Sequence, residues 1–82
     1  MAGETVTVLY FASLRESVGI AQEQVPATAA SLGDLYDALR AHYGFALPRE
    51  RLRVAVDGAF AGWSDAVRPG SEVALIPPVS GG

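Results

Sequence analysis

The sequence predicts an α+β domain in which one amphipathic helix covers one face of a mixed sheet of four to five strands. Three features carry that expectation. A β-branched and aromatic run, "VTVLYF", opens the chain; one apolar stripe at helical spacing lies between Ser31 and Gly44; and two short apolar runs, "RLRVAVDG" and "SEVALI", follow toward the end. With 82 residues there is room for one domain, and a chain of this size buries only about 60% of the surface it exposes when unfolded. No cysteine is present to add a disulfide, so stability rests on a small apolar core.

Val6 to Phe11 reads as the first strand, with Val6, Val8 and Tyr10 on one face and Leu9 and Phe11 on the other. Ser13 and Glu16 have capping-box spacing and Gly19 suits a helix stop, which predicts a short helix from Leu14 to Val18. "AQEQVP" predicts a short strand ended by Pro26. The main helix is expected between a Ser31 cap and a Gly44 terminator, with Leu32, Leu35, Tyr36, Leu39 and Tyr43 as its apolar stripe. Asp34 and Asp37 toward its start and Arg40 toward its end suit the helix dipole, and Gly33 in its first turn is a mild cost. "RLRVAVDG" alternates, with Leu52, Val54 and Val56 facing in and Arg51, Arg53, Ala55 and Asp57 facing out. Asp57-Gly58 is a turn dipeptide, a weak strand is expected around Phe60, and Pro69-Gly70 predicts a type II turn into a last strand, Glu72 to Ile76. Strand, short helix, strand, long helix and later strands also describe the β-grasp, or ubiquitin-like, arrangement. The expected division is a folded unit over residues 1–76 and an extended tail over 77–82.

Composition excludes several functions. A net charge of −3 is the wrong sign for general affinity to nucleic acid or anionic membrane, and no stretch approaches the roughly 20 apolar residues of a membrane span. "MAGETV" lacks the basic and apolar regions of a signal peptide, so a cytoplasmic protein is expected. One histidine, His42, and no cysteine argue against a structural metal site. Ser64, His42 and Asp65 contain the elements of a hydrolase triad, but nothing in the sequence fixes them in a nucleophile turn, and there is no phosphate-binding glycine motif. His42 reads instead as a surface residue near a helix end. Arg49, Arg51 and Arg53 read as a solvated strand edge and its approach, with acidic-partner binding as the alternative.

Two places remain. By parity Phe11 and Ile76 face away from the helix, and Leu9 shares the face of Phe11; Phe60, on the weak strand, is a further apolar candidate. Loops cover them, or they form an exposed patch that receives a partner. Trp63 reads most simply as a cap over the core edge. The other place is the tail, "PPVSGG". Pro77 and Pro78 have no N–H to donate, so the chain leaves the sheet there, and six residues reach at most about 20 Å. Gly81 and Gly82 have no Cβ, which suits a narrow tunnel in another protein. A terminal carboxylate is ionised at neutral pH and becomes an acyl donor only after activation, as by ATP-dependent adenylation. The alternative is that Gly-Gly is a cloning remnant.

"VLYFASLRESVG" and "RPGSEVALIPPVSGG" resemble the small subunit of molybdopterin synthase, the MoaD family. The pattern from Phe11 to Gly19 and the Pro-Pro-Val-Ser-Gly-Gly end together set the chain apart from the thiamine-pathway sulfur carrier, which has the fold and the Gly-Gly but not the front motif. The resemblance implies a β-grasp fold and no permanently bound cofactor. It implies that a ubiquitin-activating-like adenylyltransferase uses ATP to adenylate Gly82, that sulfur is then carried there as a thiocarboxylate, and that Gly81 keeps the tail slim. It implies transfer of that sulfur to cyclic pyranopterin monophosphate inside the large synthase subunit, in a heterotetramer. It further implies that Phe11, Arg15, Phe60 and Ile76 contact the partner, as do Pro77, Pro78 and Val79 of the tail. Asp57 stands where that family often has Asn. A ubiquitin-like modifier attached to lysines through Gly82 is the rival expectation, and a sulfur carrier for another pathway is a variant of the first.

Overall fold

The computed structural model describes residues 4–78. A strand Thr5–Tyr10 (β1) leads into a helix Ala12–Val18 (α1), a strand Gln22–Pro26 (β2) and the main helix Leu32–Tyr43 (α2). A 3₁₀ turn Arg49–Arg51 precedes strands Arg53–Val56 (β3), Ala59–Ala61 (β4) and Glu72–Ile76 (β5). The five strands form one sheet in the order β2-β1-β5-β3-β4. β1 and β5 pair in parallel at its centre and the other pairings are antiparallel.

The core lies on the α2 side of the sheet. Val6, Val8 and Tyr10 of β1, Val54 of β3, and Val73 and Leu75 of β5 are buried with Leu32, Leu35, Tyr36 and Leu39 of α2. Ser31 Oγ accepts the Asp34 N–H at 3.1 Å, and Gly44, at φ 76°, donates its N–H to the Arg40 carbonyl at 2.7 Å, so both ends of α2 close as the sequence predicts. Trp63 rests on Tyr36, with ring centroids 5.7 Å apart, at the edge of this core.

Several sequence expectations change. The short helix starts at Ala12, with Phe11 as an N-cap that makes no side-chain bond, so Ser13 lies inside the helix and does not cap it. Phe11 leaves the strand because Ala12 turns the chain with a positive φ of 50°. β3 begins at Arg53; Arg51 and Leu52 belong to the end of the 3₁₀ turn, although Leu52 is buried as expected. β3 lies between β5 and β4, but β4 pairs only with Val54 to Val56, so Arg53 stands outside that pairing and Arg51 on the 3₁₀ approach to it. Gly33 is closely packed, and a larger residue there would have to displace the Arg49 side chain. The Gly33 N–H donates to the Trp63 carbonyl at 2.8 Å, and a Cβ there would lie 1.8 Å from Arg49 Nη1 and 3.2 Å from the Trp63 oxygen. The Leu32 N–H donates to the Asp65 carbonyl at 2.9 Å, so the loop after β4 satisfies donors that the first turn of a helix leaves unpaired.

A polar clasp ties three elements together. The hydroxyls of Tyr10 on β1 and Tyr43 on α2 both donate to Glu23 Oε2 on β2, at 2.5 and 2.6 Å. Burial, then the bond to Glu23, pushes the Tyr10 phenol far above its ordinary value, and the bond to Glu23 is the main cause of the upward shift at Tyr43. Phenols whose pKa is raised on folding hold their protons after those of the unfolded chain are lost. Their contribution to stability is therefore complete below about pH 10 and falls as pH rises beyond it. Equilibrium unfolding across alkaline pH should show this decline, with a shallower slope in Tyr10→Phe. Glu23→Ala leaves the buried Tyr10 hydroxyl without its acceptor and should cost about 2 kcal/mol in urea unfolding. Adding Tyr10→Phe to that variant should cost less than the sum of the single changes.

Candidate partner-binding face and tail root

The sheet face turned away from α2 carries an apolar groove. Its geometry follows from register: Leu9 pairs with Ala74, Ala74 with Ala55, and Ala55 with Phe60, so one row crosses four adjacent strands. Two methyl side chains at the centre form the floor, and larger side chains on either side form the walls. Phe11 and Ile76 complete the groove at the end where β5 exits, with Gly58 and Glu72 also lining it. Phe11 is 45% and Phe60 69% exposed. Ala55 at the floor is buried and Leu9, Ala74 and Ile76 are half-buried, while the exposure of both aromatic walls favours the exposed patch over the loop-covered reading.

Local backbone chemistry sets the two aromatic walls. Phe11 has extended backbone, and its carbonyl accepts the N–H groups of Leu14 and Arg15 at 3.1 and 3.4 Å. The following Ala12 occupies the left-handed region at φ 50°, where an L-residue costs roughly 1–2 kcal/mol. Phe60 stands on β4 beyond a two-residue turn in which Asp57 and Gly58 both have positive φ, 50° and 87°, as a type I′ hairpin requires. Asp57 also ties this turn to β5: its N–H donates to the Glu72 carbonyl and its Oδ1 accepts the Glu72 N–H, both at 2.9 Å. Asp at this position thus keeps the turn chemistry of Asn. At the start of β5, the Ser71 N–H donates to the Arg68 carbonyl at 3.3 Å and Gly70 has φ 85°, in keeping with the predicted type II turn.

The tail root lies at the same end of the sheet. Pro77 is buried and Pro78 exposed, and both line a hollow with Arg51, Leu52 and Arg53. Arg15 is exposed on α1. Structure therefore gathers Phe11, Phe60, Ile76, Pro77 and Pro78 along one face and its exit; Val79, Gly81 and Gly82 lie outside the described residues. Sequence reading missed Ala55 and Ala74, whose smallness forms the groove floor, because alanine on a strand carries no signal without the register. It also separated Arg51 and Arg53 from the tail, which only the β3–β5 pairing brings beside them.

His42 is exposed in the last turn of α2, 4.6 Å from the Tyr43 ring by centroids, and Asp65 Oδ2 accepts the Gly62 N–H at 3.0 Å. Among the described residues no three His, Cys, Asp or Glu side chains gather as a metal site, and no helix is long and apolar enough to cross a membrane.

Residues 8–82 match the ThiS family. The chain belongs to that family. Among curated relatives, the molybdopterin synthase sulfur carrier subunit of Haemophilus influenzae is 32% identical, over 94% of this chain and 99% of the relative. The protein of the same name from Homo sapiens is 35% identical, over 94% of this chain and 93% of the relative. The crystal structure of SAMP1 from Haloferax volcanii superposes with a TM-score of 0.78 at 31% identity, covering 95% of this chain and 99% of that one. Family membership and these relatives establish a ubiquitin-like β-grasp fold of the sulfur-carrier type.

The Asp57 tie gives a direct check on how the groove wall is held. Asp57→Asn should stay within about 0.5 kcal/mol of the wild type in urea unfolding, because Asn adopts positive φ and keeps an acceptor oxygen. Asp57→Ala loses the acceptor and strains the turn, and should cost about 1–2 kcal/mol.

Proposed function

We propose that this chain is the sulfur carrier subunit of molybdopterin synthase. The observation that carries the reading is the joint placement of an uncovered apolar groove and the root of a Gly-Gly-ended tail at one end of one sheet. A partner that covers the groove with its own apolar surface would fix where the tail leaves and direct its slim end inward. The relatives named above as sulfur carrier subunits support the pathway.

In this reading Gly82 is the reactive residue. Its ionised carboxylate attacks the α-phosphorus of ATP in a ubiquitin-activating-like adenylyltransferase, and pyrophosphate leaves. A sulfur nucleophile then displaces AMP, and the terminus becomes a thiocarboxylate. With no cysteine in the chain, the backbone end is where this protein carries sulfur. The large synthase subunit receives the tail and supplies the catalytic groups. The thiocarboxylate donates sulfur to cyclic pyranopterin monophosphate, two such transfers build the dithiolene, and two small subunits cap a dimer of large ones. Phe11, Phe60 and Ile76 dock the partner, Arg15 adds a polar contact, Pro77, Pro78 and Val79 lead the tail in, and Gly81 keeps it narrow. All of this takes place in the cytoplasm.

The likeness to SAMP1, also solved under the name small archaeal modifier protein 1, favours a second reading, attachment to other proteins through Gly82. Mass spectrometry of the intact chain after incubation with the adenylyltransferase, ATP and a sulfur source separates the two. Replacement of one oxygen by sulfur at the terminus is expected of the carrier; a ladder of heavier adducts on other proteins is expected of the modifier. Removal of Gly82 should abolish sulfur transfer in the reconstituted synthase. Phe11→Arg should leave the fold intact by thermal melting yet weaken binding to the large subunit, and unchanged turnover by either variant overturns the reading.

A further inference from the structure

The arginines of this chain are unevenly used. The net charge is −3, and all six basic residues are arginine. Arg53 is the register partner of Ile76, and Arg51 and Arg53, together with Glu50, line the hollow from which Pro77 and Pro78 depart. Both are exposed. Among the described residues the ion pairs belong to Arg49, which lies 3.9 Å from both Asp37 and Glu50; Arg51 and Arg53 have no carboxylate at salt-bridge distance. Arg51 lies in the 3₁₀ turn and guards no strand, while Arg53 stands at the start of β3, just before the Val54–Val56 stretch that β4 pairs with. Nor is Arg53 simply solvated: its guanidinium carbon lies 5.6 Å from the centroid of the Phe60 ring, within cation–π range, so it joins the groove wall to the tail root.

We propose that Arg51 and Arg53 form a cationic flank that recognises an acidic surface, Asp and Glu side chains bordering the cleft that takes the tail, on the partner protein. This rests on the reading that a partner receives the tail. Guanidinium groups suit both carboxylate and phosphate. Reach decides between them: the six residues from Pro77 to Gly82 extend up to about 20 Å, so a phosphate at the end of an extended tail lies beyond an arginine at its root. Sign supports the same choice. A chain of net charge −3 repels an acidic partner in general, so a local positive patch beside the tail favours approach with the tail foremost.

The test is association of the full-length chain with the cognate molybdopterin synthase large subunit, followed by stopped flow at low and high ionic strength. The charge reversal Arg51→Glu with Arg53→Glu should slow association about tenfold at low salt and flatten its salt dependence. Arg51→Lys with Arg53→Lys keeps the charge and should retain most of the rate. Arg68→Glu, which precedes the turn into β5 at the far end of the strand, should stay within about twofold. Thermal melting of each variant checks the fold, and a charge-reversed chain that unfolds is replaced by Arg51→Gln with Arg53→Gln, for which slower association at low salt is again expected. If the wild type binds, and Phe11→Arg weakens binding while neutralising or reversing the arginines changes nothing, the cationic flank is overturned and the sulfur-carrier reading stands. If the wild type does not bind the large subunit at all, that reading fails and the flank fails with it.

Discussion

The parallel pairing of β1 with β5 is the constraint on which the rest of the molecule depends. Strands that run in parallel deliver their next segments to the same end of the sheet. With Tyr10 opposite Leu75, the chain leaving β1 becomes Phe11 and α1 beside the point where β5 becomes the tail. β3 runs antiparallel to β5 and therefore begins at that end, with Arg53 opposite Ile76. An aromatic wall, a cationic side chain and the tail root, far apart in sequence, thus meet without any long-range contact having to be designed for each. Register is under equal constraint. A slip of β5 by one residue would turn Ala74 and Ile76 into the core and Val73 and Leu75 out of it, and burial of the α2-facing side forbids that.

The two faces of this sheet divide the work of stability and recognition. The α2 face is filled by branched and aromatic side chains, and the Tyr10–Glu23–Tyr43 clasp holds β1, β2 and α2 in one relation at a place where burial alone leaves hydroxyls to satisfy. The opposite face leaves an apolar row uncovered in a chain short enough to need every contact it can make. That combination, with alanines keeping the floor low between Leu9 and Phe60, is the physical character of a surface completed by a partner. The positive φ of Ala12 belongs to the same economy: local strain is tolerated where the chain turns from β1 and Phe11 into α1.

Much of this was legible in the sequence because it is written in short-range terms. Ser31 and Gly44 bracket α2, Asp57-Gly58 closes a hairpin, Pro69-Gly70 starts β5, and parity alone sends Leu9, Phe11 and Ile76 away from the helix. What escaped depends on atoms brought together from a distance. Ser13 has the spacing of a cap, but the left-handed Ala12 starts the helix before it. Gly33 looks like a small helical penalty until Arg49 and the Trp63 carbonyl occupy the space where a Cβ would stand. Glu23 reads as one polar residue in a short edge strand, and nothing nearby in sequence announces two tyrosines that share its carboxylate.

The alternating run that contains Arg49, Arg51 and Arg53 shows how one turn can reassign like residues. On a continuous strand, side chains two apart project from the same face, and the three guanidinium groups would crowd one edge. The 3₁₀ turn Arg49–Arg51 interrupts that alternation. Arg49 is diverted to the start of α2, over Gly33 and near Asp37, and becomes part of the helix packing. Arg51 and Arg53 stay with the tail, in a hollow they share with Glu50, and neither has a carboxylate at salt-bridge distance among the described residues. Because the guanidinium remains charged at any physiological pH, their contribution to association is controlled by ionic strength and not by protonation.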